Sequence, residues 1–506
     1  MSDPARQPSE SLRTQAIRSA KWVLAGRVVA ESTSLVALVA LARLLTPAQV
    51  GHAAVAMVAF ALSNGLLGGS FGSILVKQTD LRPTQVETAQ LLSLASGVML
   101  TALCLVLAAG LSVSSNGSVA ELIAVASPCF LFAGISSVPQ ALRSRRLAFR
   151  ALTLIEMAAT VTGSATSVAL AALGAGAASV VLGGVAMSAA VAALSLVRTD
   201  ARRPRLHRHE VGEVLRFGLP ASGSSILFTA VRNIDYALVA TRLPAAQVGF
   251  YYRAYTLAVD YQLKISQIVV RVLFPVLSRT ATPEAFRSAR SRVIRLHSVV
   301  LFPLLAMLVV TAPTAVPLLY GDRWNEAILP TQILVGAGVA TAIGTGIGPV
   351  MLAAGKPRPL LVNNIVTFAC FALTVYVCAG FGLIATCVGV VAYRLIALAV
   401  SQYCLATRLL GIPLRDTLVL DPGPAAISAA ALLAVAFPLS AAVDGYPPLI
   451  RLAVTAAAGF AVYGLVLRVL FSTAWSDVAI LLAEVLPRRL RRASSPAVRP
   501  RLGHEG

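Results

Sequence analysis

The chain has 506 residues, of which 57% are hydrophobic and only 12% charged, with a mean hydropathy of +0.80 and a formal net charge of +21. A soluble domain carries about 25% charged residues, and the apolar runs here reach the ~20 residues that cross a ~30 Å hydrocarbon core as a helix. Composition therefore excludes a soluble globular fold and predicts an all-α polytopic membrane protein.

The first twenty or so residues are polar and basic, with Arg6, Arg13, Arg18 and Lys21. No small-residue cleavage site follows a short apolar run, so the first apolar segment is expected to be an uncleaved span. Apolar runs set against their breakers predict fourteen helices, near 20–42, 51–73, 87–111, 119–140, 149–173, 177–197, 214–241, 248–274, 294–313, 327–354, 359–379, 382–407, 424–443 and 449–471. The connections alternate. One set is rich in Lys and Arg, as in LRSRRLAFR from Leu142, RTDARRPRLHRHE from Arg198 and PRRLRR from Pro487. The other set is short, with only Arg43, Arg242, Arg323 and Arg451 on that side. The Lys/Arg-rich side is cytoplasmic, which places both termini inside.

The net charge is thereby explained as orientation and anionic-lipid contact. Nucleic acid is not expected as a partner, because the basic residues are spread over many loops without interleaved aromatics. The stretch from Ala474, AWSDVAILLAEVLPRRLRR, reads as an interfacial helix with a basic tail. The six cysteines, Cys104, Cys129, Cys370, Cys378, Cys387 and Cys404, lie in apolar segments and read as small core hydrophobes. No metal and no cofactor are expected.

A repeat organises the helices. LARLLTPAQVGH begins at Leu41 and LVATRLPAAQVGF at Leu238, with Gly51 and Gly249 separated by 198 residues. Each copy joins two predicted spans on the outer face, with six spans between them. That spacing is a parallel repeat about an axis along the membrane normal. It predicts an N-lobe over 1–205, a C-lobe over 206–415, an extra helix pair over 416–472 and a basic cytoplasmic tail over 473–506. In the first copy Thr46-Pro47-Ala48-Gln49 has a capping-box pattern, whereas the second keeps Pro244 and Gln247 but lacks the hydroxyl. Two lobes around a central site is a plan for alternating access.

Ionisable groups inside spans are costly and mark pathways. The eighth span carries Arg253, Asp260, Lys264, Gln267 and Arg271, which at 100° per residue share one face. The seventh adds Ser225, Arg232 and Asp235, and the first adds Arg27, Glu31 and Ser34. Glu156 and Arg394 stand alone. Some of these are internal ion pairs, such as Asp260 with Lys264, but the stripe has three cations to one anion, which predicts a solvated cationic cavity. Such a cavity suits an amphiphile with a phosphate head, gripped by Arg, and argues against export of cationic drugs. His207 and His209 sit in a basic cytoplasmic loop and read as solvated. Asn116-Gly-Ser matches a glycosylation sequon too common to weigh. Outer loops are short and carry no acidic pair or metal-ligand cluster, so an enzyme is not expected.

These residues also carry a resemblance. ARLLTPAQVG from Ala42, GLPASGSSILFTAVRNIDYALVATRLPAAQVGFYYRAY from Gly218, ISQIVVRVLFPVLSR from Ile265, LYGDRWNEAILPTQIL from Leu319 and MLAAGKPRP from Met351 resemble the polysaccharide transporters of the multidrug/oligosaccharidyl-lipid/polysaccharide exporter superfamily. The likeness weakens after about residue 415. It implies a flippase that moves an undecaprenyl-diphosphate-linked oligosaccharide repeat unit to the outer leaflet of the cytoplasmic membrane for exopolysaccharide, capsule or O-antigen synthesis, coupled to a proton or sodium gradient. Membrane lipids and polymerase or export proteins are the further partners expected. Arg232, Asp235 and Arg253 carry over from the family pattern. The cation pattern of lipid II flippases does not map here, so Arg27 rests on its own position.

The expected substrate contacts are Arg27, Arg232, Arg253, Lys264 and Arg271. Glu31, Asp235 and Asp260 are expected to pair with them or carry coupling ions. A lipid II flippase, an ion-coupled drug antiporter and a non-transporting scaffold of polymer synthesis are the alternatives.

Overall fold

The computed structural model describes residues 7–476 apart from 70, 73–74, 76–79, 114–116, 198–202, 265, 267–282, 345–346 and 354–355. Among the described residues every element is helical. The sixteen longer ones are α1 (Gln7–Leu44), α2 (Pro47–Gly69), α3 (Pro83–Val113), α4 (Gly117–Ala126), α5 (Pro128–Arg145), α6 (Phe149–Ala172), α7 (Ala177–Leu196), α8 (Arg208–Ala240), α9 (Ala245–Tyr255), α10 (Pro283–Tyr320), α11 (Ile328–Gly344), α12 (Ile347–Ala353), α13 (Pro357–Ala379), α14 (Leu383–Ser401), α15 (Gly423–Ala442) and α16 (Pro448–Leu470).

Among the described residues, eleven helical stretches are long and apolar enough to cross a membrane. They carry large apolar side chains on their surfaces, such as Val98, Met99, Leu103 and Val106 on α3 and Leu361, Val362 and Ile365 on α13. This is a multi-pass membrane protein, because such faces are stable only against lipid. The helices α1, α8 and α9 are not among the eleven. They are the helices on which the sequence concentrates its charges.

The chain packs as two compact units: one of Met1–Ala254, Val316–Pro330 and Phe368–Gly389, the other of Tyr255–Ala315, Thr331–Thr367 and Val390–Gly506. In the first unit α6 packs along α1 and α7, α3 along α5, and α2 along α8. Small residues permit this. A Cβ on Gly65 of α2 would come within 2.6 Å of Thr229 Oγ1 on α8, and one on Gly163 of α6 within 2.8 Å of the Gly183 carbonyl on α7. In the second unit α15 packs along α16, and Leu432, Ala436, Met307 and Tyr463 share one core. The core of this protein is made of close helix crossings, as expected where lipid removes most of the hydrophobic drive between helices.

The repeated turns are built as the sequence predicts, with one difference. In the first copy Thr46 N–H donates to Gln49 Oε1 at 2.9 Å and Gln49 N–H to Thr46 Oγ1 at 3.3 Å, a reciprocal capping box. In the second copy α9 starts at Ala245, so the residue equivalent to Thr46 is Pro244, which has neither hydroxyl nor N–H. Gln247 Oε1 is accordingly buried without a hydrogen bond. The two turns also touch. A Cβ on Gly51 would lie 1.9 Å from the Ala245 carbonyl oxygen, and one on Gly249 would lie 2.0 Å from the Pro47 carbonyl oxygen. Gly51 and Gly249 are equivalent in the repeat, and so are Pro47 and Ala245. The contact is therefore reciprocal, and the α2 and α9 starts cross backbone against backbone.

Several readings need correction. His207 is not simply solvated: its Nε2 lies 2.8 Å from Glu87 Oε2, and its backbone N–H reaches Thr88 Oγ1. All six cysteines are free, but Cys370 and Cys404 are exposed rather than in the core. Asn116 and the expected interfacial helix and tail beyond residue 476 lie outside the described residues.

Candidate functional site

The predicted stripe on the eighth span is interrupted. After α9 the chain runs as a π-helix over Thr256–Asp260 before resuming at 261–264. A π segment inserts about one residue into the helical count, which rotates everything after it by about 100°. The constant step that put Arg253, Asp260 and Lys264 on one face therefore fails. Arg271 and Gln267 lie outside the described residues.

Arg253 is 3% exposed. Its guanidinium carbon sits 5.6 Å from the ring centres of both Tyr320 and Trp324 and 6.0 Å from that of Tyr252, a cation–π setting worth about 2 kcal/mol when desolvated. Trp324 is fully buried, donates from Nε1 to the Ala42 carbonyl at 2.9 Å and meets Phe250 edge to face. The turn that presents it begins at Gly321, whose φ of 91° favours glycine, and continues as a 3₁₀ turn over Asp322–Ala327. Arg43 donates to the carbonyls of Leu318 and Leu319 at the end of α10, while Arg323 reaches the Leu45 carbonyl after α1. Both satisfy carbonyls left open at a helix C-terminus. Arg242 lies 4.1 Å over the Tyr376 ring and Arg451 pairs with Asp444. Arg43, Arg242, Arg323 and Arg451 thus each have a local structural contact.

Asp235 is fully buried on α8 and accepts a 2.9 Å hydrogen bond from the Tyr251 hydroxyl of α9. Tyr236 stacks edge to face on both Tyr251 and Tyr252. The structure therefore brings Asp235 and Arg253 into one polar-aromatic seam between α8, α9 and the 320–324 turn. Arg232 is half-buried, one turn before Asp235 on α8. Arg27 and Glu31 are half-buried on α1, one turn apart. Asp260 is half-buried, and Lys264, also half-buried, has its ammonium 5.0 Å from the Tyr261 ring centre. Glu156 is exposed on α6, and Arg394 donates to the Tyr255 hydroxyl at 3.0 Å. Sequence reasoning missed Tyr251, Tyr320 and Trp324. The signal for them was aromatic residues beside charge, in FYYRAY and LYGDRW, rather than charge itself.

The first unit also holds a cavity of about 660 Å³. Its wall is apolar, with Leu62, Leu103, Leu107 and Ile226 among its residues, and His52 and Cys104 are its ionisable lining groups. None of Arg27, Arg232, Arg253 or Lys264 lines it.

At the start of α8, Glu210 receives Thr84 Oγ1 at 2.8 Å and lies 3.3 Å from His209 and 3.7 Å from Arg82. Burial pushes this carboxyl up. The hydrogen bonds from Thr84 and Gln85 and the charges of His209 and Arg82 outweigh that effect and hold it below its ordinary value of 4.5.

Comparison with known proteins gives consistent neighbours. Residues 40–329 match the family described as Polysaccharide biosynthesis protein. The chain is 27% identical over 351 residues to the lipopolysaccharide biosynthesis protein WzxC of Escherichia coli K12, covering 68% of this chain and 71% of that one. Among solved structures it resembles the lipid II flippase MurJ in an inward closed conformation, with a TM-score of 0.67, 12% identity and coverage of 90% and 99%. It also resembles an inward-facing multidrug resistance MATE family transporter of the MOP superfamily, with a TM-score of 0.59, 19% identity and coverage of 76% and 96%. These two likenesses show that the chain shares the fold of those two proteins.

Proposed function

Because the chain belongs to the polysaccharide biosynthesis protein family, we propose that it is a flippase for lipid-linked oligosaccharide repeat units. It moves a polyprenyl-diphosphate-linked sugar unit from the cytoplasmic to the outer leaflet of the inner membrane, by alternating access of two lobes over 1–205 and 206–415. Fourteen crossings with both termini inside complete that reading. The observation that carries it is the match to the family over 40–329, a segment that contains α8, α9 and the polar-aromatic seam.

The half-buried cations Arg27, Arg232 and Lys264 are assigned to the diphosphate or acidic sugars, with Arg271 as a further contact. Arg253 has a different part. At 3% exposure it offers no surface to a diphosphate, so it positions the aromatic seam through Tyr320 and Trp324. Asp235 holds Tyr251, and Glu31 and Asp260 are assigned to pairing with the cations or to coupling-ion binding. A coupling ion, proton or sodium, and polymerase partners belong to the same reading. No chemistry on the substrate is required.

Deletion of the gene followed by lipid analysis tests this. Sugar-loaded carrier held in the cytoplasmic leaflet is the expected result, restored by the intact chain and not by Arg232→Ala. Unaltered carrier pools with normal polymer in the deletion strain would overturn it.

A further inference from the structure

The second compact unit contains a buried histidine that the transport reading does not use. His297 lies within α10 and is 4% exposed. Its Nε2 is 2.7 Å from Ser266 Oγ. The ring also hydrogen-bonds the backbone of Ala342, in the last turn of α11, where carbonyls have no donor of their own helix. Ser266 is fully buried and receives Gln262 Nε2 at 2.7 Å, while its own oxygen lies 3.0 Å from the Gln262 carbonyl. Gln262 is 3% exposed, and its side-chain Oε1 is buried without a hydrogen bond.

The geometry points to a proton-binding site made of His297, Ser266 and Gln262, which takes up and releases one proton during the transport cycle. A hydroxyl has one hydrogen and two acceptor positions, and Ser266 can aim that hydrogen at either of two acceptors. With the ring neutral, Ser266 O–H donates to His297 Nε2. When a proton from solution binds the Nε2 lone pair, Nε2–H donates to Ser266 Oγ and the hydroxyl turns to the Gln262 carbonyl. Ser266 then accepts from both Nε2–H and Gln262 Nε2–H. In both protonation states His297 Nε2 and Ser266 Oγ keep their hydrogen-bond partners without movement of a heavy atom. A histidine that serves only as packing needs one set of partners; this one has two.

The surroundings explain why the proton must also leave. The helix α11 has no ionisable residue, and α16 reaches α10 here through the Tyr463 hydroxyl on the Val299 carbonyl. Among the described residues, no carboxylate hydrogen-bonds to His297, Ser266 or Gln262. Asp260 and Lys264 stand beside Gln262 and Ser266 on their segment. Toward the start of α10, Arg290 lies 3.9 Å from Asp421 and donates to Thr417 and Gln402, Ser291 pairs with the same Asp421, and Arg295 follows. An imidazolium without an adjacent carboxylate is costly inside a bilayer. Occupancy is therefore set by which side supplies water and protons, as a coupling site requires.

The proposal rests on the transporter reading, and its test separates the two. Histidine-labelled full chain in lipid nanodiscs is titrated by NMR, with the His297 ring signal assigned by its loss in His297→Gln. The ring is expected to titrate between about pH 4 and pH 8, and Ser266→Ala is expected to lower its midpoint by about one unit, because Nε2–H loses its acceptor. In proteoliposomes with an internal pH-sensitive dye, an imposed pH gradient should drive proton flux through the intact chain and at least tenfold less through His297→Gln. A ring that stays neutral down to pH 4, or wild-type flux from His297→Gln, overturns the proton site. A titrating ring with lost flux, in a strain whose polymer is unaffected by deletion of the gene, overturns the substrate reading and leaves the proton site standing.

Discussion

Replacing Gly51 with Ala sets two local terms against each other. Alanine is favoured over glycine by about 1 kcal/mol inside a helix, so on its own α2 would gain. Against this, the new methyl would sit 1.9 Å from the Ala245 carbonyl oxygen and 2.8 Å from its carbon. An ordinary contact needs about 3.5–4.0 Å, so the α2 and α9 starts must separate by well over 1 Å. The obstacle is backbone, which has no rotamer to give way. Overpacking of this kind costs about 1–3 kcal/mol or more, and the net loss is expected to be about 1–2 kcal/mol, carried equally by Gly249→Ala at the equivalent position. Gly110→Ala on α3 and Gly223→Ala on α8 are the controls, since a Cβ there meets nothing within 4 Å. The assay is thermal unfolding of the detergent-solubilised chain. The controls should keep or raise the midpoint and the two turn variants should lower it. A midpoint for Gly51→Ala equal to that of Gly110→Ala would refute the backbone crossing.

Trp324→Ala removes a fully buried side chain together with its hydrogen bond to Ala42; a loss of about 3–5 kcal/mol is expected, against about 1 kcal/mol for Trp324→Phe, read from the same unfolding curves. Arg232→Ala should keep membrane abundance and lose polymer export at least tenfold, whereas Arg253→Ala should lose abundance as well, checked by quantitative immunoblot beside the polymer assay. Glu210 is charged with a folded pKa below 4.5. Its contribution is therefore full above about pH 4.5 and is lost as pH falls through the folded value. The unfolding midpoint of the intact chain should drop with acid below that range, and Glu210→Gln should flatten this drop while lowering the midpoint at pH 7.

Much of the fold was legible because its causes are local. Long apolar runs and basic loops fixed the class of protein and the helix positions. TPAQ announced its own capping box, and the AQVG pair pointed to equivalent turns. Charge inside α1 and α8 marked two long helices that stand apart from the eleven apolar stretches found among the described residues. The departures have equally specific reasons. A constant 100° step cannot foresee the extra residue of the π-helix at Thr256–Asp260, so the stripe from Arg253 to Lys264 was drawn on a face that the chain does not keep. The missing second capping box, by contrast, was legible in the sequence, because Pro244 stands where Thr46 does and has no hydroxyl.

By itself the sequence determined that this chain lives in a membrane, where its helices run and which of them carry charge, because hydropathy and capping are properties of neighbouring residues. Tertiary structure decided what those charges and polar groups do. Arg253 became the cation of an aromatic seam only because Trp324 is brought to it by a turn anchored on Ala42. Gly51 and Gly249 became a crossing only because α2 and α9 start against each other. His297 gained two alternative states only because Ser266 and Ala342 meet it from separate helices. In a low-dielectric interior a polar group is defined by the partners that reach it, and those partners here lie tens to hundreds of residues away.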